Sequence, residues 1–249
     1  MKTEHLPLTA HLEELRRCLV ISFMAIGVGF LFSYAFSQEI FDLLARPLYR
    51  LLPPGDALIF TGYPEAFFLY LKLAFFAGVV EASPVILYQL WRFIEPGLYE
   101  QEKKMAVPFV LVSTFFFVCG LLFAYFVVFP VAFKFFLGYN SEYLSAVPTI
   151  GEYFSFTTRL LLAFGLVFEF PVVMCFLARM HVVTVSFLRR NRKYAILGIF
   201  ILAALLTPTP DVVNQLLMAG PLLVLYELSI LLIWLMERRA GSAVKKAEG

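Results

Sequence analysis

Apolar residues come in six long blocks, divided by short polar stretches. The blocks cover about 18–36, 66–91, 105–129, 153–180, 194–206 and 212–236. All but the fifth approach or exceed the roughly 20 apolar residues that a helix needs to cross a bilayer core. The pattern predicts an all-α, polytopic membrane protein with six transmembrane helices, organised as a single membrane domain over residues 1–249.

The polar separators carry their own signals. After the first block, Ile40, Leu43, Leu44 and Pro47 are placed on one interfacial face, with Arg46 and Arg50 snorkelling. Pro53-Pro54-Gly55 forces a turn. A charged hairpin from Arg92 to Lys104 joins blocks two and three, and block three is expected to end at Pro130. A longer loop follows, from about Val131 to Glu152. Thr207-Pro208-Thr209-Pro210-Asp211 separates blocks five and six, because neither proline can donate a backbone hydrogen bond. Blocks five and six are expected to form short helices. About 13 helical residues in block five reach only about 20 Å, against a core of about 30 Å. The five–six hairpin therefore either thins the bilayer or sets its tip in a protein-lined cavity.

Composition adds orientation and excludes several functions. Hydrophobic residues make up 61% of the chain and the net charge is +2, too small to suggest a nucleic-acid partner. Of the 20 Lys and Arg residues, fifteen fall in the N-terminus, the second-to-third loop, the fourth-to-fifth loop and the tail. Three (Arg46, Arg50 and Lys134) fall on the other side, and Lys72 and Arg159 lie within blocks. The positive-inside rule then places both termini in the cytoplasm. Cys18, Cys119 and Cys175 show neither disulfide nor metal spacing and read as small hydrophobes. The mixed-charge start carries no signal-peptide pattern. His5, His11 and His181 show no metal pairing, no catalytic motif is present, and no cofactor is expected.

Ionisable residues inside the blocks are the candidate chemistry. Glu169 lies near the middle of block four, where a carboxylate costs several kcal/mol unless protonated, paired or hydrated. Glu81 and Glu227 are read as similarly deep. Lys72 and Arg159 sit nearer block ends and are explained by snorkelling. Asp211 and Gln215 share a helix face, and Asp211 reads equally as a helix cap or a binding group. Two acidic features stand beside bases on the cytoplasmic side: Glu13-Glu14 with Arg16-Arg17, and Glu100-Gln101-Glu102 with Lys103-Lys104. They are either solvated helix ends or carboxylates held for a cationic guest such as paired guanidinium groups. Leu8, Leu12, Leu15 and Leu19 form one stripe, and the helical wheel leaves Glu13 and Glu14 nearly symmetric beside it. Glu13 has Arg16 and Arg17 at helical spacing, which predicts that they pair.

An ordered set of motifs covers nearly the whole chain. It runs through His11-Leu12-x-Glu14-Leu15-Arg16, Ser83-Pro84-Val85-Ile86-Leu87-Tyr88-Gln89-Leu90-Trp91, and Phe93-Ile94-x-Pro96-x-Leu98-Tyr99-x-x-Glu102. It continues through Phe123-Ala124-Tyr125-Phe126-Val127-Val128-Phe129-Pro130, Ala163-Phe164-Gly165, Phe168-Glu169-x-Pro171, and Leu206-Thr207-Pro208 with Asp211. This set resembles the TatC family, the multispanning core of the twin-arginine protein translocase. The resemblance implies a concave bundle in a prokaryotic inner membrane, and a receptor for twin-arginine signal peptides on folded cargo, not an enzyme. Glu14 and Glu102 would receive the arginines, with Arg16, Phe93 and Tyr99 shaping the patch. Pro47, Glu169 and Gln215 match family positions in the outer loop and the concave membrane face. The implied partners are single-span TatA and TatB type subunits and membrane lipid, with the protein oligomeric inside a hetero-complex and the proton gradient driving transport. Glu13, Glu81 and Arg159 fall outside the pattern. The competing reading is a proton-coupled transporter of a small solute built on Glu169, which would favour internal repeats that are not evident here.

Overall fold

The computed structural model describes residues 8–50, 58–59, 62–94, 106–138, 149–206 and 212–247. Regular structure among them is helical, apart from one isolated bridge between Ile59 and Thr149. Helix α1 (Leu8–Ala35) starts well before the first apolar block. Its charged head is rich in Leu, Glu and Arg, which are strong helix formers. Then come α2 (Ser37–Tyr49), α3 (Glu65–Ile94), α4 (Ala106–Phe123), α5 (Phe129–Leu137), α6 (Ile150–Phe168) and α7 (Phe170–Arg179). A short α8 (Val185–Arg190), α9 (Arg192–Leu206) and α10 (Val212–Ala247) complete the order.

Five helical stretches are long and apolar enough to cross a membrane: His11–Ala35, Glu65–Ile94, Val107–Phe136, Ile150–Arg179 and Gln215–Arg238. The fifth block is again the exception. Its helix α9 has 15 residues, a reach of about 22 Å.

Three expectations are corrected. The third span does not stop at Pro130. A π turn over Ala124–Val128 joins α4 to α5, and Phe129 donates its N–H to the carbonyl of Ala124. The wider turn absorbs a proline that would otherwise end the ladder, and helix continues to Leu137. The sixth helix is not short: α10 has 36 residues, since Glu237, Arg238 and Arg239 sustain helix beyond the apolar run. In α2 the buried residues are Leu44, Ala45 and Leu48, while Leu43 is half exposed. The packing stripe is therefore shifted from the interfacial face expected around Leu43 and Leu44.

The chain divides into two compact units, Met1–Phe115 with Phe133–Arg159, and Phe116–Ala132 with Leu160–Gly249. In the first unit, α1 lies along α3 at a crossing where both helices carry glycine. A Cβ on Gly78 would stand 2.5 Å from the backbone nitrogen of Phe30, and one on Gly29 would stand 2.8 Å from the carbonyl oxygen of Gly78. No side chain fits there, so backbones touch directly, as small residues allow between membrane helices. The opposite end of the unit is tied by polar groups. Glu65 Oε1 accepts the N–H of Gly151 at 2.9 Å, a carboxylate at the open N-terminus of α6. The Tyr153 hydroxyl donates to the carbonyl of Leu44 at 2.7 Å. Trp91, buried near the end of α3, packs on Phe109 with ring centroids 4.5 Å apart.

In the second unit a Cβ on Gly120 would meet the carbonyl oxygen of Phe164 at 2.5 Å, a second glycine-permitted crossing. Thr184 caps α8 by accepting the N–H of Phe187 at 3.2 Å, and Glu237 Oε1 accepts the N–H of Val185 at 3.2 Å. Tyr226 in α10 donates its hydroxyl to the carbonyl of Leu188 at 2.8 Å.

Candidate functional site

The charged head of α1 is placed by one stacking contact and one line of side chains. His11, Glu14, Leu15 and Cys18 have helical spacing and share a face. His11 stacks on Phe93 at the end of α3, with ring centroids 4.4 Å apart and planes 25° from parallel. Leu15, Cys18 and Phe93 border a common cavity. The glycine crossing fixes the two helices further along, so the stack sets both the height and the rotation of Glu14.

Glu13 and Glu14, symmetric on the wheel, differ in their surroundings. Glu13 is exposed, while Glu14 is half-buried. The predicted pairing of Glu13 with Arg16 or Arg17 is absent among the described residues, whereas Arg192 does pair with Glu227. Arg16 and Arg17 are exposed. At a solvated helix end, fixing two long side chains offsets the small Coulomb gain. Glu14 likewise has no ion-pair partner among the described residues. It is a half-buried carboxylate with its anionic capacity uncommitted, beside an aromatic stack. Glu102 and Tyr99, expected to complete this patch, lie outside the described residues, as does Asp211.

Pro47 belongs to the first unit and sits in the last turn of α2, three residues after the carbonyl that Tyr153 holds. Glu169 and Gln215 belong to the second. Glu169 lies at the junction of α6 and α7 and is buried. Pro171 supplies no N–H, so the ladder breaks there. Glu169 closes the break in a tighter turn, its N–H on the carbonyl of Leu166 at 3.1 Å, and its own carbonyl accepts from Val173 at 2.9 Å. Gln215 Nε2 donates to the carbonyl of Phe200 at 3.1 Å, which ties α9 to α10.

Sequence reasoning missed two features. Glu227, expected to be deep like Glu169, is bonded to Arg192 at 2.7 Å, and both side chains are about half exposed. The signal was the hairpin register: 200 against 215 and 192 against 227 are nearly the same antiparallel alignment. Glu81, also read as deep, is exposed and has no ion pair among the described residues. The second missed feature is Gln89, buried on α3, whose amide oxygen has no hydrogen-bond partner among the described residues.

Comparison with known proteins covers most of the chain. The model of the family described as "Sec-independent protein translocase protein (TatC)" matches residues 10–221. A TatC protein from Desulforapulum autotrophicum is 53% identical over 92% of this chain and 84% of its own length. One from Carboxydothermus hydrogenoformans is 42% identical over 99% of this chain and all of its own length. A crystal structure of a twin-arginine translocase receptor TatC superposes with a TM-score of 0.79 at 43% identity, covering 90% of this chain and 98% of that one. A second, of the receptor in DDM, gives 0.80 at 41% identity, covering 90% and 99%.

Proposed function

This chain belongs to the TatC family, and from that premise we propose that it is the signal-peptide receptor and multispanning core of a twin-arginine translocase in a prokaryotic inner membrane. It exports folded proteins with the proton-motive force as the driver, by binding and positioning and without catalysing a covalent step. Six spans, with α9 as the short fifth, leave both termini in the cytoplasm and bring the head of α1 and the end of α3 to the cytoplasmic edge.

The reading of the site is carried by one observation: Glu14 is half-buried beside the His11–Phe93 stack with no ion-pair partner among the described residues. A carboxylate so placed receives a guanidinium through two parallel hydrogen bonds, a geometry that an ammonium does not reproduce. Glu102, from the stretch between α3 and α4, supplies the second carboxylate for an arginine pair. Arg16 and Tyr99 shape the patch, and Phe93 forms its aromatic wall. Glu169, Gln215 and Asp211 serve the membrane part of the path, and Pro47 the first outer loop. TatA and TatB type single-span subunits complete the complex, in which this chain is oligomeric. The small-solute transporter reading is set aside, because whole-chain relatives are translocase proteins.

The test is photocrosslinking between the protein and a signal peptide carrying Arg-Arg. Alanine at both Glu14 and Glu102 is expected to abolish the adduct while membrane insertion continues. An undiminished adduct in the double variant removes the acid-clamp assignment.

A further inference from the structure

Glu81 is a carboxylate in the middle of a membrane-crossing helix, and its own unit does not cover it. It belongs to α3, the 30-residue stretch Glu65–Ile94. That helix is about 45 Å long, with Glu81 about 24 Å from one end and about 20 Å from the other. A bilayer core of about 30 Å therefore has Glu81 near its midplane. Lys72, exposed on the same helix, stands about 10 Å from the Glu65 end, and its long stem carries the charge to the interface. The two methylenes of Glu81 do not cover the roughly 15 Å between midplane and interface.

The surface around it is open and rich in acceptors. Glu81 shares a face of α3 with Ala77, Pro84 and Tyr88. Pro84 and Tyr88 are exposed, and Ala77 is half-buried. Glu81 has no hydrogen bond or ion pair among the described residues. Pro84, inside the helix, has no N–H to give to the carbonyl of Val80, the neighbour of Glu81. Ala77, one turn away, is small enough to let a second helix approach closely.

A charge at that depth is costly unless it is paired or faces water. Lipid acyl chains offer no donor. A second copy, placed by a two-fold axis along the membrane normal, sets Glu81 against Glu81 and adds a like charge. A neutral amide donates hydrogen bonds but leaves the charge uncompensated. A basic side chain supplies the opposite charge together with donors for the carboxylate and for the carbonyl of Val80. We propose that the Ala77–Glu81–Pro84 face of α3 docks a transmembrane helix of a partner protein, and that Glu81 pairs with a Lys or Arg at the midpoint of that helix. The proposal goes beyond the receptor reading and stands on the depth and exposure of Glu81, so a failed arginine clamp at Glu14 leaves it in place.

The experiment uses the full chain in liposomes of phosphatidylethanolamine and phosphatidylglycerol. The probes are single-span peptides of leucine and alanine that carry Lys, Gln or Leu at the centre. Association is read by energy transfer between a dye on the protein and a dye on the peptide. The Lys peptide is expected to associate about tenfold more tightly than the Leu peptide. In Glu81→Leu that difference should shrink below about twofold. Without peptide, Glu81→Leu should melt no lower than the unmodified protein, because the substitution removes no contact inside the chain. Equal association of the Lys and Leu peptides, a Gln peptide as tight as the Lys peptide, or a Lys preference that survives Glu81→Leu overturns the proposal. A lower melting temperature for Glu81→Leu overturns it too, by showing that the carboxylate is satisfied within its own chain. Efficient disulfide-linked dimers of Glu81→Cys overturn the choice of partner and assign the face to a second copy.

Discussion

The α1–α3 pair of the first unit and the α9–α10 hairpin of the second solve the same problem in opposite ways. Each joins two apolar helices and carries an acidic residue near a charged helix end. The first pair is held by backbone contact at Gly29 and Gly78, and its acid, Glu14, is left without an ion pair among the described residues. The second is held by polar side chains: Gln215 reaches the carbonyl of Phe200, and Arg192 neutralises Glu227. A helix pair that packs through glycine needs no polar group for its own cohesion, so its carboxylate remains available to an external cation. A pair clasped by side chains has spent its polar groups on itself.

That contrast can be broken from either side. The largest effect is expected at the glycine crossing. Gly78→Leu drives a side chain into the backbone of α1 and should destabilise the protein by about 3 kcal/mol. Thermal unfolding in detergent would show it, and an unchanged midpoint would mean that the backbones do not meet there. Next is Glu14→Gln, which keeps the size but removes the charge. It should weaken Arg-Arg peptide binding about 10- to 100-fold, the loss of charge-assisted hydrogen bonds, with little change in melting. Gln215→Leu should do the reverse, lowering stability by about 1 kcal/mol and leaving the preference for Arg-Arg over Lys-Lys peptides unaltered. The smallest effect belongs to Glu227→Gln. Both partners are about half exposed, so solvent screening keeps the loss below about 1 kcal/mol. A large loss of peptide binding in this variant would place the cation site in the wrong unit.

Much of this was legible in the residues. The apolar blocks located the five helices long and apolar enough to cross a membrane, and Thr207 to Asp211 marked the end of the short fifth block, because length and proline are local signals. The head of α1 read as charged, but the choice between Glu13 and Glu14 was not written in the helical wheel. Their different burial depends on α3, about eighty residues away, through the His11–Phe93 stack. Pro130 misled for a related reason: its effect depended on whether the preceding turn widened, and Ala124–Val128 did. The Gly29–Gly78 crossing could not be read from either glycine alone, since a close approach belongs to the pair. Glu227 looked like a buried acid because depth was counted along one helix, without the antiparallel register that sets Arg192 beside it.

The most direct measurement is the ratio of affinities for an Arg-Arg and a Lys-Lys signal peptide, compared between the unmodified protein, Glu14→Gln and Glu227→Gln. The unmodified protein and Glu227→Gln should favour Arg-Arg by about tenfold or more, and Glu14→Gln should bring the ratio close to one. An unchanged ratio in Glu14→Gln would contradict the assignment of this carboxylate as the acceptor of a signal-peptide arginine.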